Sequence, residues 1–344
     1  MSAVVPDGGT NVRRLSVASD RPVLAIDVGG TKISAGVVEP GGRFIAARRM
    51  VTPPELDAEQ LWRTLEVLTG ELLAEAGFDK PGALSGVGCG CGEPMDCVAG
   101  SVSPLGIPAW RDFPLLGRLG ELFSGVPVRL RGDGICLTAG EHWRGAGRGT
   151  RNMLGVVVSN GIGGGLVLDG GLVSGQTGNA GHVGHVVVDP DGPECRCGGH
   201  GCLETIARGP ALVAWAQGER PRYSLPQDEQ WRPGQRDATA RDLADDAGRG
   251  HAVAAAAMRR AGHALGVAIA SVANLCELEV VAVGGGLAQA GPVLFGPLEE
   301  ALRGHADISA PTGVRVVPAS LGQDAGLIGA AAMILAADRY WPAR

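Results

Sequence analysis

The chain has 344 residues, too many for one ordinary core, so two domains or lobes are expected. Hydrophobic residues make up 45% and charged residues 19%, a globular composition that excludes a disordered chain. A net charge of −6 with no long basic run excludes a duplex nucleic-acid binder that works by neutralising phosphates, and no apolar run has membrane-spanning length.

Residues 1–21 lack the apolar core of a signal peptide and read as a disordered leader. Eight cysteines without a secretion signal fit a reducing, cytoplasmic setting, where thiols are buried or bind metal. Val23 to Ile26 and Ile33 to Val38 are strand-like runs on either side of Asp27-Val28-Gly29-Gly30-Thr31-Lys32, a hairpin with a glycine-rich tip. Asp57 to Ala76 places Leu61, Leu65, Val67, Leu68, Leu72 and Leu73 at helical spacing. Leu84 to Cys91 is a third strand, and 97–114 is loop-rich. Val126 to Leu130 is a strand ending in the turn Gly132-Asp133-Gly134.

A second glycine-tipped hairpin joins Met153–Val158 to Gly165–Leu168 through Ser159-Asn160-Gly161-Ile162-Gly163-Gly164-Gly165. Two such units, one early and one mid-chain, suggest duplicated lobes facing a shared cleft. Residues 221–237 read as a polar surface excursion, Val253 to Leu275 as a long helix apolar on several faces, and Glu279 to Val283 as a strand running into Gly284-Gly285-Gly286. Asp324 to Ala336 closes the chain as an apolar helix.

His185, Cys195, Cys197 and Cys202 fall within one short stretch, and Gly198, Gly199 and Gly201 let that stretch fold tightly. These are the donors of a closed tetrahedral zinc shell with no catalytic position left open. Such a metal would also fix His182 and Glu204, which could line a pocket.

Taken singly, each glycine tip is an ordinary turn. Neither matches the Walker loop nor the dinucleotide-binding turn. In order, however, D-x-G-G-T-K, G-D-G, G-I-G-G-G, H-x-G-H and C-x-C-G-x-x-G-C-x-E resemble the ROK family, named for repressors, open reading frames and kinases, over about residues 22–340. The resemblance implies an actin-like, ribonuclease-H-like fold of two α/β lobes with ATP in the cleft. The lobes would be 22–130 plus 323–344, the smaller, and 131–322, the larger, which carries the zinc loop. It implies ATP- and Mg2+-dependent phosphorylation of a hexose, usually at the 6-hydroxyl, with Asp133 as general base. Asp27, Gly29, Gly30, Thr31, Lys32, Gly161, Gly163, Gly164 and Gly165 would serve the phosphates, and Gly285 and Gly286 the adenosine. His182, His185, Glu204 and Asp133 would contact the sugar, and structural Zn2+ would sit on His185, Cys195, Cys197 and Cys202.

Four motifs depart from the family's usual pattern. N-D-A-N becomes Gly132-Asp133-Gly134-Ile135, an asparagine becomes Gly106, E-x-G-H becomes His182-Val183-Gly184-His185, and Asn160 replaces a threonine. A histidine at 182 replaces an acceptor-only glutamate with a donor suited to a carbonyl oxygen. An N-acylhexosamine such as N-acetylmannosamine is therefore expected as substrate, with glucose as the alternative. A catalytically idle sugar sensor is the alternative of another class. A repressor is disfavoured, because only about twenty residues precede the first motif and repressors of the family carry a helix-turn-helix there. No nucleic-acid or membrane partner is expected, and a homodimer or homotetramer is.

Overall fold

The computed structural model describes residues 20–53, 55–78, 80–218, 231, 238–305 and 313–341. The leader lies outside them except for Asp20 and Arg21. Two sheets are built the same way from consecutive halves of the chain. The first half runs β1 (Val23–Val28), β2 (Lys32–Val38), β3 (Phe44–Val51), α1 (Ala58–Glu75), β4 (Val87–Cys91), a short ribbon of β5 (Met95–Asp96) and β6 (Ser101–Val102), α2 (Leu115–Leu122) and β7 (Val128–Gly132). Its sheet has the order β3-β2-β1-β4-β7, with the first three strands antiparallel and β1, β4 and β7 parallel.

After α3 (Asp133–Arg144) the pattern repeats with β8 (Met153–Val158), β9 (Ile162–Leu168) and β10 (Gly171–Leu172). Helices α4 (Leu203–Ala207), α5 (Gly209–Ala216), α6 (Ala240–Gly248) and α7 (Ala252–Cys276) follow. Then come β11 (Val280–Gly284), α8 (Pro292–His305), β12 (Arg315–Pro318), α9 (Ala325–Leu335) and α10 (Ala337–Tyr340). The second sheet, β10-β9-β8-β11-β12, has the same mixture of antiparallel and parallel neighbours. The duplication read from two glycine-tipped hairpins is thus a duplication of whole sheets.

Each sheet buries one face under its own helices. Leu61, Leu65 and Leu72 of α1 cover the first, and α1 starts at Asp57, whose side chain accepts from the Gln60 backbone N–H. Trp215, Leu265 and Ile269 belong to the cover of the second. Most of the apolar surface of α7 is used within this cover, against α8, although Leu275 near its end is exposed. Residues 221–237 are described only at Trp231, and that residue is no surface feature. It is buried, and its Nε1 donates to Asp246 Oδ2 at 2.7 Å.

A third core lies between the two sheets. Here α3 and α9 meet Val23 and Ala25 of β1 on one side and Met153, Val167 and Ala282 on the other. The two helices approach so closely that a Cβ added at Gly329 would lie 1.6 Å from the Cys136 carbonyl oxygen, and one at Gly140 would lie 2.4 Å from that of Ala325. Gly329→Ala should therefore cost about 3 kcal/mol, the upper end of the range for an overpacked core. Urea unfolding would show a lower midpoint at unchanged slope, whereas an unmoved midpoint would mean that the helices can part without loss.

Candidate active site

The parallel strands β1, β4 and β7 lie side by side, with Asp27 opposite Gly90 and Cys91 opposite Gly132. Their carboxyl ends therefore bring three acidic residues together: Asp27 within β1, Glu93 two residues beyond β4 and Asp133 just after β7. The crevice beyond such strand ends is where open α/β sheets hold ligands.

Asp133 is the first residue of α3, not the tip of a turn. Its Oδ1 accepts from the Gly134 N–H at 2.7 Å, and a Cβ added at Gly163 of the second sheet would lie 3.6 Å from that oxygen. The side chain is only partly open to solvent. Burial, and then the charges of Glu93 and Asp27, push its pKa up to about 7; the Gly134 hydrogen bond and His182 oppose the rise. Asp27 is also raised by burial, partly offset by the Lys32 ammonium. Lys32 Nζ reaches the Gln323 carbonyl oxygen at 3.4 Å.

The first glycine tip is a tight turn. Gly29 N–H donates to the Lys32 carbonyl at 2.9 Å, and Thr52 Oγ1 donates to the Gly29 carbonyl at 2.6 Å, which leaves Gly30 and Thr31 exposed. Gly30 touches the loop after β6: a Cβ there would lie 2.6 Å from the Gly106 Cα. Gly106 is thus a packing necessity in this chain, because a side chain would collide with the glycine tip.

The second tip is shorter than expected. The turn is confined to 159–161, and Gly163, Gly164 and Gly165 already belong to β9, paired with Val157, Val156 and Gly155. Gly164 and Gly165 are buried under α3 and the 181 loop, so they cannot reach a phosphate from there. Gly161 and Gly163 keep some exposure. Gly286 lines a cavity of about 420 Å³ with Ser159, Asn160, Gly209, Thr239 and Arg241. Its neighbour Gly285, at φ +90°, packs against the Val158 backbone.

The four metal donors converge. One donor atom each from His185, Cys195, Cys197 and Cys202 lies within 4.8 Å of all the others. His185 Nδ1 is 3.6 Å from Cys195 Sγ, and Cys197 Sγ is 3.7 Å from Cys202 Sγ. Zinc–sulfur bonds of about 2.3 Å set tetrahedrally put two sulfurs roughly 3.8 Å apart, so the donor set fits that ion. Burial and the neighbouring sulfurs push the Cys202 thiol up to about 12, a conflict that a divalent cation would relieve.

Cys202 caps α4, which carries Glu204, and Glu204 Oε2 accepts from the Ile162 N–H at 3.0 Å. Glu204 therefore ties the cysteine loop to the second glycine tip. His182 stacks on His185 with ring centroids 5.9 Å apart. The Nε2 of His182 lies 2.9 Å from Glu93 Oε1, a contact that joins the two halves of the chain. Histidine at 182 thus does not rid the pocket of a carboxylate, because Glu93 brings one. Two other departures also look different in space. A Cβ on Gly132 would lie 2.3 Å from Glu93 Oε1, and Ile135 is buried in the middle core rather than facing the cleft.

The ROK family pattern matches residues 23–337, nearly all of the described chain. The chain belongs to the ROK family. Among its ROK relatives, the glucokinase of Thermotoga maritima is 33% identical over 91% of this chain and 96% of its own length. The N-acetylmannosamine kinase of Yersinia pseudotuberculosis is also 33% identical, over 90% and 96%. A solved ROK glucokinase from Streptomyces griseus, in complex with glucose and AMPPNP, superposes with a TM-score of 0.72 at 28% identity, covering 91% of this chain and 98% of that one. The ROK architecture is the two-lobed, actin-like α/β fold expected from the motifs. Among the described residues no helix is long and apolar enough to cross a membrane.

Proposed function

We propose that this ATP-dependent ROK sugar kinase transfers the γ-phosphoryl group of ATP to the 6-hydroxyl of a hexose or N-acylhexosamine, with Asp133 as the base. The observation that carries this reading is the position of Asp133. It follows β7 directly at the carboxyl ends of the first sheet, beside Gly163 of the second, with its pKa pushed up to about 7. The carboxylate takes the hydroxyl proton as the sugar oxygen bonds to γ-phosphorus and the bond to the β-bridging oxygen breaks, releasing ADP. Gly30, Thr31, Gly161 and Gly163 offer backbone N–H groups for the phosphates, Gly29, whose own N–H is held by the Lys32 carbonyl, shapes the first tip, Lys32 adds positive charge, and the cavity at Gly286 takes the adenosine. Magnesium, when bound, neutralises phosphate charge. Glu204 and His185 border the sugar side, and zinc on His185, Cys195, Cys197 and Cys202 holds that border in place. The two sheets serve as lobes, 22–130 with 323–344 and 131–322.

The preferred acceptor in this reading is an N-acylhexosamine. Support comes from the imidazole at 182 and from N-acetylmannosamine kinases standing as near in sequence as glucokinases. An ATP-consumption assay against N-acetylmannosamine, N-acetylglucosamine, glucose and mannose tests it. An N-acylhexosamine should exceed glucose in kcat/KM by about tenfold or more, the discrimination available to a site built to hydrogen-bond one substituent. A strong preference for glucose would replace this reading with a glucokinase. No phosphorylation of any sugar would leave a sugar sensor.

A further inference from the structure

Glu93 belongs to no motif, yet three observations put its carboxylate at the centre of the sugar side. Its Oε1 lies 2.9 Å from His182 Nε2. It fills the space over Gly132 that any larger side chain would need, since a Cβ there would come within 2.3 Å. Its charge also raises the Asp133 pKa more than that of Asp27 does. The backbone around it is fixed as well: the Glu93 carbonyl accepts from the Leu105 N–H at 3.2 Å, which ties it to the loop that touches Gly30. Although the side chain is only 18% exposed, among the described residues the ion pair it forms is with His182. A carboxylate held this way has a second oxygen for a ligand that donates a hydrogen bond.

We infer that Glu93 is a sugar-binding, specificity-determining residue, oriented by His182 and accepting a hydrogen bond from a donor substituent of the acceptor sugar, a hydroxyl or an amide N–H. It stands where Gly132 leaves room, so the acceptor in this pocket comes from the loop after β4 rather than from the residue before the base. The same carboxylate adds to the rise in the Asp133 pKa that burial causes. The other charged or titratable groups around Asp133 are Asp27 on β1, Cys91 on β4, Arg131 on β7, Cys136 on α3 and His182. Glu93 is the acidic group among them that is held by His182.

This inference rests on the sugar-kinase reading, and its test separates the two. Steady-state kinetics of Glu93→Gln and Glu93→Ala are measured with the preferred sugar from the panel and with its deoxy analogues. Sugar affinity is measured in parallel by calorimetry, which needs no turnover. KM and Kd for the sugar should rise about tenfold or more in Glu93→Ala and less in Glu93→Gln, with KM for ATP unchanged. The analogue that lacks the contacted donor should lose little further. In both variants the acid limb of kcat/KM should move to lower pH, because removing a negative charge beside Asp133 lowers its pKa; a merely structural role would not move it that way. Unchanged sugar affinity with an unmoved acid limb overturns the role of Glu93 while leaving the kinase reading intact. A parent that binds sugar without phosphorylating it removes the kinase reading, and the calorimetric comparison still decides Glu93. A parent that binds none of the sugars overturns both.

Discussion

Asp133→Asn should slow sugar phosphorylation by about a hundredfold or more while leaving ATP affinity nearly unchanged, the usual scale for loss of a general base. Asparagine keeps the shape and can still accept from the Gly134 N–H, but it cannot take a proton. In the parent, the pKa of about 7 makes the active carboxylate form grow as pH rises. The kcat/KM profile should therefore climb through about pH 7 and level off above it. Lowering the pH reprotonates Asp133, and activity falls along a single ionisation. Steady-state rates of both proteins from pH 5.5 to 8.5 check this (the range is roughly that over which such a group titrates). A variant that turns over near the parent rate would remove Asp133 from the chemistry.

Cys197→Ser should abolish metal binding. The purified parent should carry about one zinc per chain and the variant almost none, and the variant should lose several kcal/mol, part of the roughly 10 kcal/mol that such sites hold. Cys197 is exposed, so trimming it creates no cavity, and the loss reports the metal itself. The damage should spread along a defined path. Cys202 caps α4, α4 carries Glu204, and Glu204 holds the Ile162 N–H. A raised KM for sugar should therefore accompany the loss of zinc. Elemental analysis with thermal unfolding, repeated on chelator-treated parent, is the measurement, and a parent without zinc would end the proposal.

What the sequence made legible follows from how each element displays its burial. Helix α1 was readable because Leu61, Leu65, Leu68 and Leu72 line one face and Asp57 caps it. The metal donors were readable because one loop holds all four. For helix α3 the sequence shows only the turn Gly132-Asp133-Gly134, for two reasons. Glycines flank Asp133, and residues from Gly134 to His142 are buried all round, so no polar stripe marks a helical period. Strand β3 escaped notice although its exposure alternates residue by residue, because Arg48 and Arg49 interrupt its apolar pattern. Gly164 and Gly165 looked like part of a loop, but they are strand residues kept small by the helix lying on them. Glu93 carried no signal of its own. Its relation to Asp133 depends on β4 and β7 being neighbours, which only the sheet order reveals.

The sandwiching of α9 between the sheets bears on how the chain is made. Gly88 of β4 packs against the Ala330 carbonyl, and Asp27 of β1 lies against Gly326, so the last long helix forms part of the wall of the first sheet. A ribosome delivers the strands of that sheet early and their cover almost last. In between, the inward face of β1, with Val23 and Ala25, has no native partner from residues 325–335. Contacts that span nearly the whole chain are slow to form and leave apolar surface open in the meantime. The early half is thus synthesised as an unfinished layer that depends on the carboxyl-terminal end, and the two lobes reach stability together rather than in turn.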